Sequence, residues 1–162
     1  GTVSKDQLDE LSTWALAPFE RETKNVAENP FQVQHDLQDD MQRLVGIVRV
    51  EKELSEAIDK IKILSARVDR AGCGGNRGYN PGWHTAMELK HMITIAEAIA
   101  RAARERKESR GGHFREDFPE KGEEFGKVNI CIRKAENGNM EVKQIPKLKI
   151  REDLQQIIDE MK

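Results

Sequence analysis

The sequence predicts a mainly α fold: three long amphipathic helices, then a small β-hairpin and a short C-terminal helix. Three observations carry this. Apolar residues recur at three- and four-residue spacing over most of the N-terminal part, as one buried helix face requires. Asn29-Pro30 and Asn80-Pro81 each supply an N-cap residue followed by a proline suited to the first helical turn. Asn137-Gly138 lies between two short alternating stretches, the strongest local hairpin signal in the chain.

The first helix is expected from about Lys5 to Ala17. Ser4 and Gln7 form a capping box, and Leu8, Leu11, Ala15 and Phe19 follow at helical spacing. Pro18 and the polar stretch from Arg21 to Glu28 interrupt it. A second helix starts at Asn29-Pro30 and carries Leu37, Met41, Leu44, Val45 and Val48 on one face. The period resumes with Leu54, Ile58, Ile61, Leu64 and Val68. Gly46 and the β-branched Val45, Ile47, Val48 and Val50 are placed to bend this stretch or break it in two.

Gly72 to Gly78 is too rich in glycine to remain helical and is expected as a loop. The third helix then runs from Pro81 to about Glu108, roughly 40 Å at about 1.5 Å per residue. Its buried stripe is Leu89, Met92, Ile93, Ala96, Ile99, Ala100 and Ala103. Gly111-Gly112 ends the pattern. Val128, Ile130 and Ile132 alternate with polar residues as a half-buried strand does, and Met140, Val142 and Gln144 to Ile145 return beside it. Leu154, Ile157, Ile158 and Met161 mark the final helix. The organisation expected is a helical bundle over 1–112, and over 113–162 a docking loop, hairpin and terminal helix packed on that bundle.

Composition narrows the function classes. The 162 residues are 35% charged and 37% hydrophobic with a formal net charge of -2, so no global field exists to gather nucleic acid or anionic lipid. Apolar runs fall far short of the roughly 20 residues that cross a bilayer, so direct membrane insertion is not expected and the reading is cytoplasmic. Gly1 in place of an initiator Met is what processing, or a boundary inside a longer protein, would leave. Cys73 and Cys131 form no CxxC pair, which argues against zinc or a disulfide framework.

Candidate chemistry is thin. The glycine loop lacks a preceding strand, and Arg77 stands where the last glycine of a GxGxxG fingerprint would fall, so a flexible connection is the better reading than a phosphate cradle. His84 and His91 lie two turns apart on one helix, too far to share a metal without other ligands. A Ser109/His113 nucleophile pair has no visible orienting group. Arg101, Arg104, Arg106, Lys107 and Arg110 crowd the end of the third helix, where cations complement the helix dipole. The segment that follows, through Pro119, mixes charges, glycines, an imidazole and Phe114 and Phe118. Its residue types leave two readings open, a docking loop and a self-packing helix cap.

The string ESRGGHFREDFP resembles the ESRGxHxRxDxP signature of succinate dehydrogenase and fumarate reductase flavoprotein subunits, and less closely a segment of L-aspartate oxidases. NPFQVQHDLQDDMQRLVGIVRVEKEL and GYNPGWHTAMELKHMITIAEAIARAA are similar to that family's second and third C-terminal helices, and GKVNICIRKAENGNMEVKQIPKLKI to its terminal hairpin and tail. The resemblance implies a three-helix bundle, spectrin-repeat-like in shape, lying beside flavin-binding and capping domains of the same parent chain. It also implies FAD in the parent and none in this fragment, an iron-sulfur partner subunit, and a membrane reached only through partner subunits. No catalytic, cofactor or metal residue is carried over. Glu108, Ser109, Arg110, Gly111, His113, Arg115, Asp117 and Pro119 are assigned to interdomain docking; Gly112 stands where many relatives have alanine. The competing readings are the corresponding domain of an L-aspartate oxidase and a free-standing helical interaction module.

Overall fold

The computed structural model describes residues 3–23 and 27–161. Helix α1 (Lys5–Thr23) is followed by α2 (Pro30–Leu44), the short strand β1 (Val48–Arg49), α3 (Glu51–Val68) and α4 (Pro81–Glu105). After α4 come β2 (Phe114–Arg115), the single turn α5 (Glu123–Gly126), β3 (Val128–Lys134), β4 (Met140–Pro146) and α6 (Glu152–Glu160).

The core lies between α2, α3 and α4. Val33, Leu37 and Leu44 from α2 meet Leu54, Ile58, Ile61 and Leu64 from α3 and Leu89, Ile93, Ala96 and Ala100 from α4, all buried. Alanines on the α4 stripe let its neighbours approach closely, and each buried aliphatic side chain contributes about 1.5 to 3 kcal/mol. The three-helix bundle is thus built from the two halves of the interrupted second segment plus the long helix. Helix α1 lies outside it, crossing α4 with Leu8, Leu11 and Trp14 exposed.

The stop and start signals operate as local chemistry dictates. The Ser4 amide donates to Gln7 Oε1 at 2.9 Å, and the Gln7 amide returns a bond to Ser4 Oγ at 3.2 Å. Asn29 Oδ1 accepts from Phe31 and Asn80 Oδ1 from Trp83, so both proline-led helices are capped by the preceding asparagine. The hairpin pairs Val128 with Pro146 through Lys134 with Met140, and Gly138 adopts φ +83 in its turn. It rests against α4, with Gln144 donating to Glu105 at 2.9 Å.

Three features differ from the sequence reading, each for a tertiary reason, while the break expected near Gly46 occurs. Helix α1 continues past Ala17 through Pro18, because the α3–α4 connection seizes that turn: Cys73 N donates to Pro18 O at 3.1 Å and Arg21 Nη1 to Ala71 O at 2.7 Å. The second segment breaks at Gly46 and forms β1. Helix α4 ends at Glu105 rather than Glu108, because Arg106 turns to an extended conformation and its carbonyl serves His113. The two-residue parallel ribbon of β1 with β2, pairing Val48 with Phe114 and Arg49 with Arg115, has no sequence signature. No residue of α6 is buried.

Candidate docking site

The segment 108–119 leaves α4, turns back, and runs as β2 alongside β1. The reversal is made by Gly111 at φ +61, with Arg110 N donating to His113 O at 2.8 Å and His113 N to Arg110 O at 3.1 Å. Ser109 Oγ accepts from Arg115 N at 2.9 Å and lies 2.9 Å from Phe118 O, to which it donates. Pairing with β1 then fixes which residues face inward. Arg49 and Arg115 point to the interior side while Val48 and Phe114 stand exposed.

Arg115 is completely buried. Its Nη1 donates to Ala103 O and Arg104 O, both at 3.1 Å, on the last turn of α4. Its Nε and Nη2 grip Asp117 in a bidentate pair at 2.7 and 2.8 Å, and Nη2 also reaches Glu51 Oε2 at 3.0 Å. Asp117 Oδ2 in turn accepts from the Glu51 amide at 2.9 Å, the first residue of α3, whose N-cap Val50 has no side chain able to do so. A cation therefore meets the carbonyl end of one helix and an anion the amide end of another, each where the helix dipole favours it. The Phe118 ring covers the guanidinium with its centroid 5.0 Å from Cζ.

Glu108 forms a second hub, also with no exposure. It receives Arg110 Nε at 2.9 Å and Nη2 at 2.9 Å, Arg106 Nη1, and the Gly122 amide at 2.8 Å. Arg110 above all holds its carboxyl at about 2 against burial, and Arg115 does the same for Asp117, also at about 2. His113 sits between the hubs. Arg49 Nη1 donates to its Nδ1 at 2.9 Å, so the ring proton is on Nε2, which donates to Arg106 O at 3.0 Å. Burial, with Arg49, Arg115 and Arg106 nearby, pushes its pKa down, in keeping with an Nδ1 that accepts from Arg49.

The candidate residues are thus brought together, but most of their side chains are spent within the chain. Glu108, Ser109, Arg110, His113, Arg115 and Asp117 all bond internally, and Gly111 and Pro119 are exposed. Gly111, Gly112, Phe114, Phe118 and Pro119 are exposed. Sequence reasoning missed Arg49 and Glu51, which complete the clasp from β1 and α3. The dipole-complementing cation also differs from the expectation. Arg101 pairs with Glu97 and Arg106 and Arg110 serve Glu108, while Arg115 takes the α4 carbonyls.

Ser109 and His113 do not pair: the hydroxyl is held by backbone groups and both ring nitrogens are occupied. Among the described residues no three His, Cys, Asp or Glu side chains converge as metal ligands. The glycine loop does not fit a dinucleotide phosphate. It leaves a helix, Asn80 Nδ2 fills its concave side by donating to Gly74 O and Asn76 O at 2.9 Å, and a Cβ at Gly72 would lie 2.7 Å from Ala27 Cβ. Gly72 serves close packing, and Gly75 supplies a backbone turn at φ +89.

Comparison with known proteins agrees with this architecture. Residues 34–158 match the family model described as the fumarate reductase flavoprotein C-terminal region. The fumarate reductase flavoprotein of Mycobacterium tuberculosis is 30% identical over 115 residues, covering 70% of this chain and 20% of its own length. The L-aspartate oxidase of Acinetobacter baylyi is 32% identical over 114 residues, covering 68% and 19%. The solved structure of Mycobacterium smegmatis Sdh1 in complex with UQ1 superposes with a TM-score of 0.88 at 33% identity, over 98% of this chain and 27% of that one. The chain therefore spans about a fifth of the length of the curated relatives. It belongs to the family of succinate dehydrogenase and fumarate reductase flavoprotein C-terminal domains.

Proposed function

We propose that this domain braces a flavin-dependent oxidoreductase that interconverts succinate and fumarate. In this reading the parent chain binds FAD in its flavin-binding and capping domains and exchanges electrons with an iron-sulfur subunit. The domain itself contributes no reacting group. The observation that carries the reading is the clasp, which joins the ends of α3 and α4 into a rigid edge and leaves Phe114, Phe118 and Pro119 on its outer side. A rigid, partly apolar edge suits interdomain contact, because little ordering entropy is lost on docking. None of the described helices is long and apolar enough to cross a membrane, which is compatible with membrane association through partner subunits.

The test is to express the full reading frame that contains this segment and, separately, residues 1–162. The full-length protein is expected to carry a flavin absorbance spectrum and to reoxidise a reduced dye when fumarate is added. The 162-residue chain is expected to be colourless and inactive; flavin bound to it would overturn the assignment of chemistry elsewhere. The similarity to an L-aspartate oxidase supports a second reading, in which the parent oxidises aspartate. Aspartate-dependent peroxide formation without dye coupling would select it. A start codon at this point in the gene, with no flavin fold in frame, would select a free-standing interaction module.

A further inference from the structure

The imidazole of His113 joins two helix ends through its two nitrogens. On one side Arg49 Nη1 donates to Nδ1 at 2.9 Å, while Arg49 Nε donates to Val45 O at 3.2 Å and Gly46 O at 2.8 Å, just past α2. On the other side Nε2 donates to Arg106 O at 3.0 Å, just past α4. A guanidinium can only donate, so the bridge exists only while Nδ1 carries no proton. The ribbon edge hangs on the same residue, since the Glu116 amide donates to Arg49 O at 2.9 Å.

Among the described residues, the charged groups that face the ring are cations: Arg49 from β1, Arg106 from the end of α4 and Arg115 from β2. Arg110, whose backbone pairs with His113, turns its guanidinium to Glu108. The carboxylates of the clasp are held by other arginines: Glu108 by Arg106 and Arg110, Asp117 by Arg115, and Glu51, at the start of α3, by Arg115 and Arg104. A proton added at Nδ1 would therefore set N–H against N–H and charge against charge. Nε2 would keep its carbonyl acceptor, which a cationic ring binds more strongly. Arg49 is the group that must move.

We propose that His113 is a proton-operated latch: uptake of a proton at Nδ1 expels Arg49 and parts β1 from β2, while the Arg115–Asp117–Glu51 fastening between α3 and α4 stays closed. The ribbon is two residue pairs long, Val48 with Phe114 and Arg49 with Arg115, so little holds it once the side-chain bridge is gone. Arg49 gives up one bond to a neutral ring and keeps its two bonds to the carbonyls past α2. Asp117 remains an anion down to about 2, so its bonds to Arg115 and to the Glu51 amide survive the acidity that opens the latch. Acid thus divides the clasp, releasing the α2–β1 corner without loosening the α3–α4 edge.

The experiment is magnetic resonance on the isotope-labelled 162-residue chain, from about pH 8 to about pH 4, following the His113 ring and the exchange protection of two backbone amides. Protection factors remove the intrinsic pH dependence of exchange. The Glu116 amide reports the latch, and the Glu51 amide, held by Asp117, reports the fastening. Below the ordinary histidine value of 6.5, the opening read at Glu116 is expected to rise about tenfold per pH unit until the closed form itself takes up the proton, with Glu51 still protected. His113→Gln can offer a carbonyl oxygen to Arg49 and an N–H to Arg106 O, so Glu116 should stay protected throughout. Arg49→Met should leave Glu116 weakly protected at every pH and raise the His113 midpoint by removing a facing cation. Glu116 protection that holds steady while His113 titrates, falls equally in His113→Gln, falls only together with Glu51, or survives Arg49→Met would each overturn the proposal. If Arg49→Met does not fold, the wild-type chain and His113→Gln still decide it.

Discussion

Arg115 and Asp117 form a bidentate ion pair that stands between the carbonyl end of α4 and the amide end of α3. The pair is an internal fastening, so its loss should be felt by the isolated domain. Arg115→Ala in the 162-residue chain is expected to cost on the order of 3 to 5 kcal/mol in urea unfolding, as for other buried pairs that lose one partner. Arg115→Lys should recover only part of this, because an ammonium cannot reach two carbonyls and a carboxylate fork together. A loss below about 1 kcal/mol would instead fit an arginine reserved for interdomain contact.

The clasp also sets the response to acid. Glu108 falls from 4.5 and Asp117 from 3.8, each to about 2, so both are bound more tightly as anions in the folded chain. Their contribution is complete above those unfolded values and disappears as pH drops toward about 2. His113 is depressed from 6.5, so the unfolded chain takes up the proton first and stability declines as pH passes below that value. Urea midpoints measured from about pH 8 to about pH 3 should therefore fall in two steps. His113→Gln is expected to remove the upper step, and Glu108→Gln to shrink the lower one to the share that Asp117 contributes while lowering stability throughout.

Glycines of similar sequence context should behave differently. A methyl at Gly72 would meet Ala27 Cβ at 2.7 Å and, at 2.8 Å, the Pro18 carbonyl, which is held within α1. Gly72→Ala is expected to cost about 1 to 3 kcal/mol in thermal or urea unfolding. Gly112 has nothing within 4 Å and no positive φ, so Gly112→Ala should stay within about 0.5 kcal/mol.

The expectation that the terminal helix packs on the bundle can be tested by truncation. Because no residue of α6 is buried, ending the chain after Leu148 should leave the bundle's unfolding free energy unchanged within about 0.5 kcal/mol. A larger loss, read by circular dichroism during urea titration, would show that the helix docks on the bundle in solution.

The parts of this fold legible in the sequence are those fixed by neighbours a few positions away. The Ser4–Gln7 box, the Asn29 and Asn80 caps and the Asn137-Gly138 turn each depend on contacts no more than four residues apart. The clasp could be recognised as a charged motif, but its wiring could not. Arg115 finds Glu51 from 64 positions away, and nothing in a helical period marks Arg49 as the partner of His113, also 64 positions distant. The same holds for Pro18, an expected helix end that persists because Cys73 reaches back to its turn.

The β1–β2 ribbon bears on the order in which the chain assembles. Its two strands can meet only after α3 and α4 have folded back on each other, since closing a loop of that length in an unstructured chain costs entropy that two residue pairs cannot repay. The ribbon and the Arg115 fastening are therefore expected to form late in folding, with φ-values near zero. Substitutions there should leave the refolding arm of a chevron plot nearly fixed and accelerate unfolding, making the clasp the element that determines how long the domain stays folded.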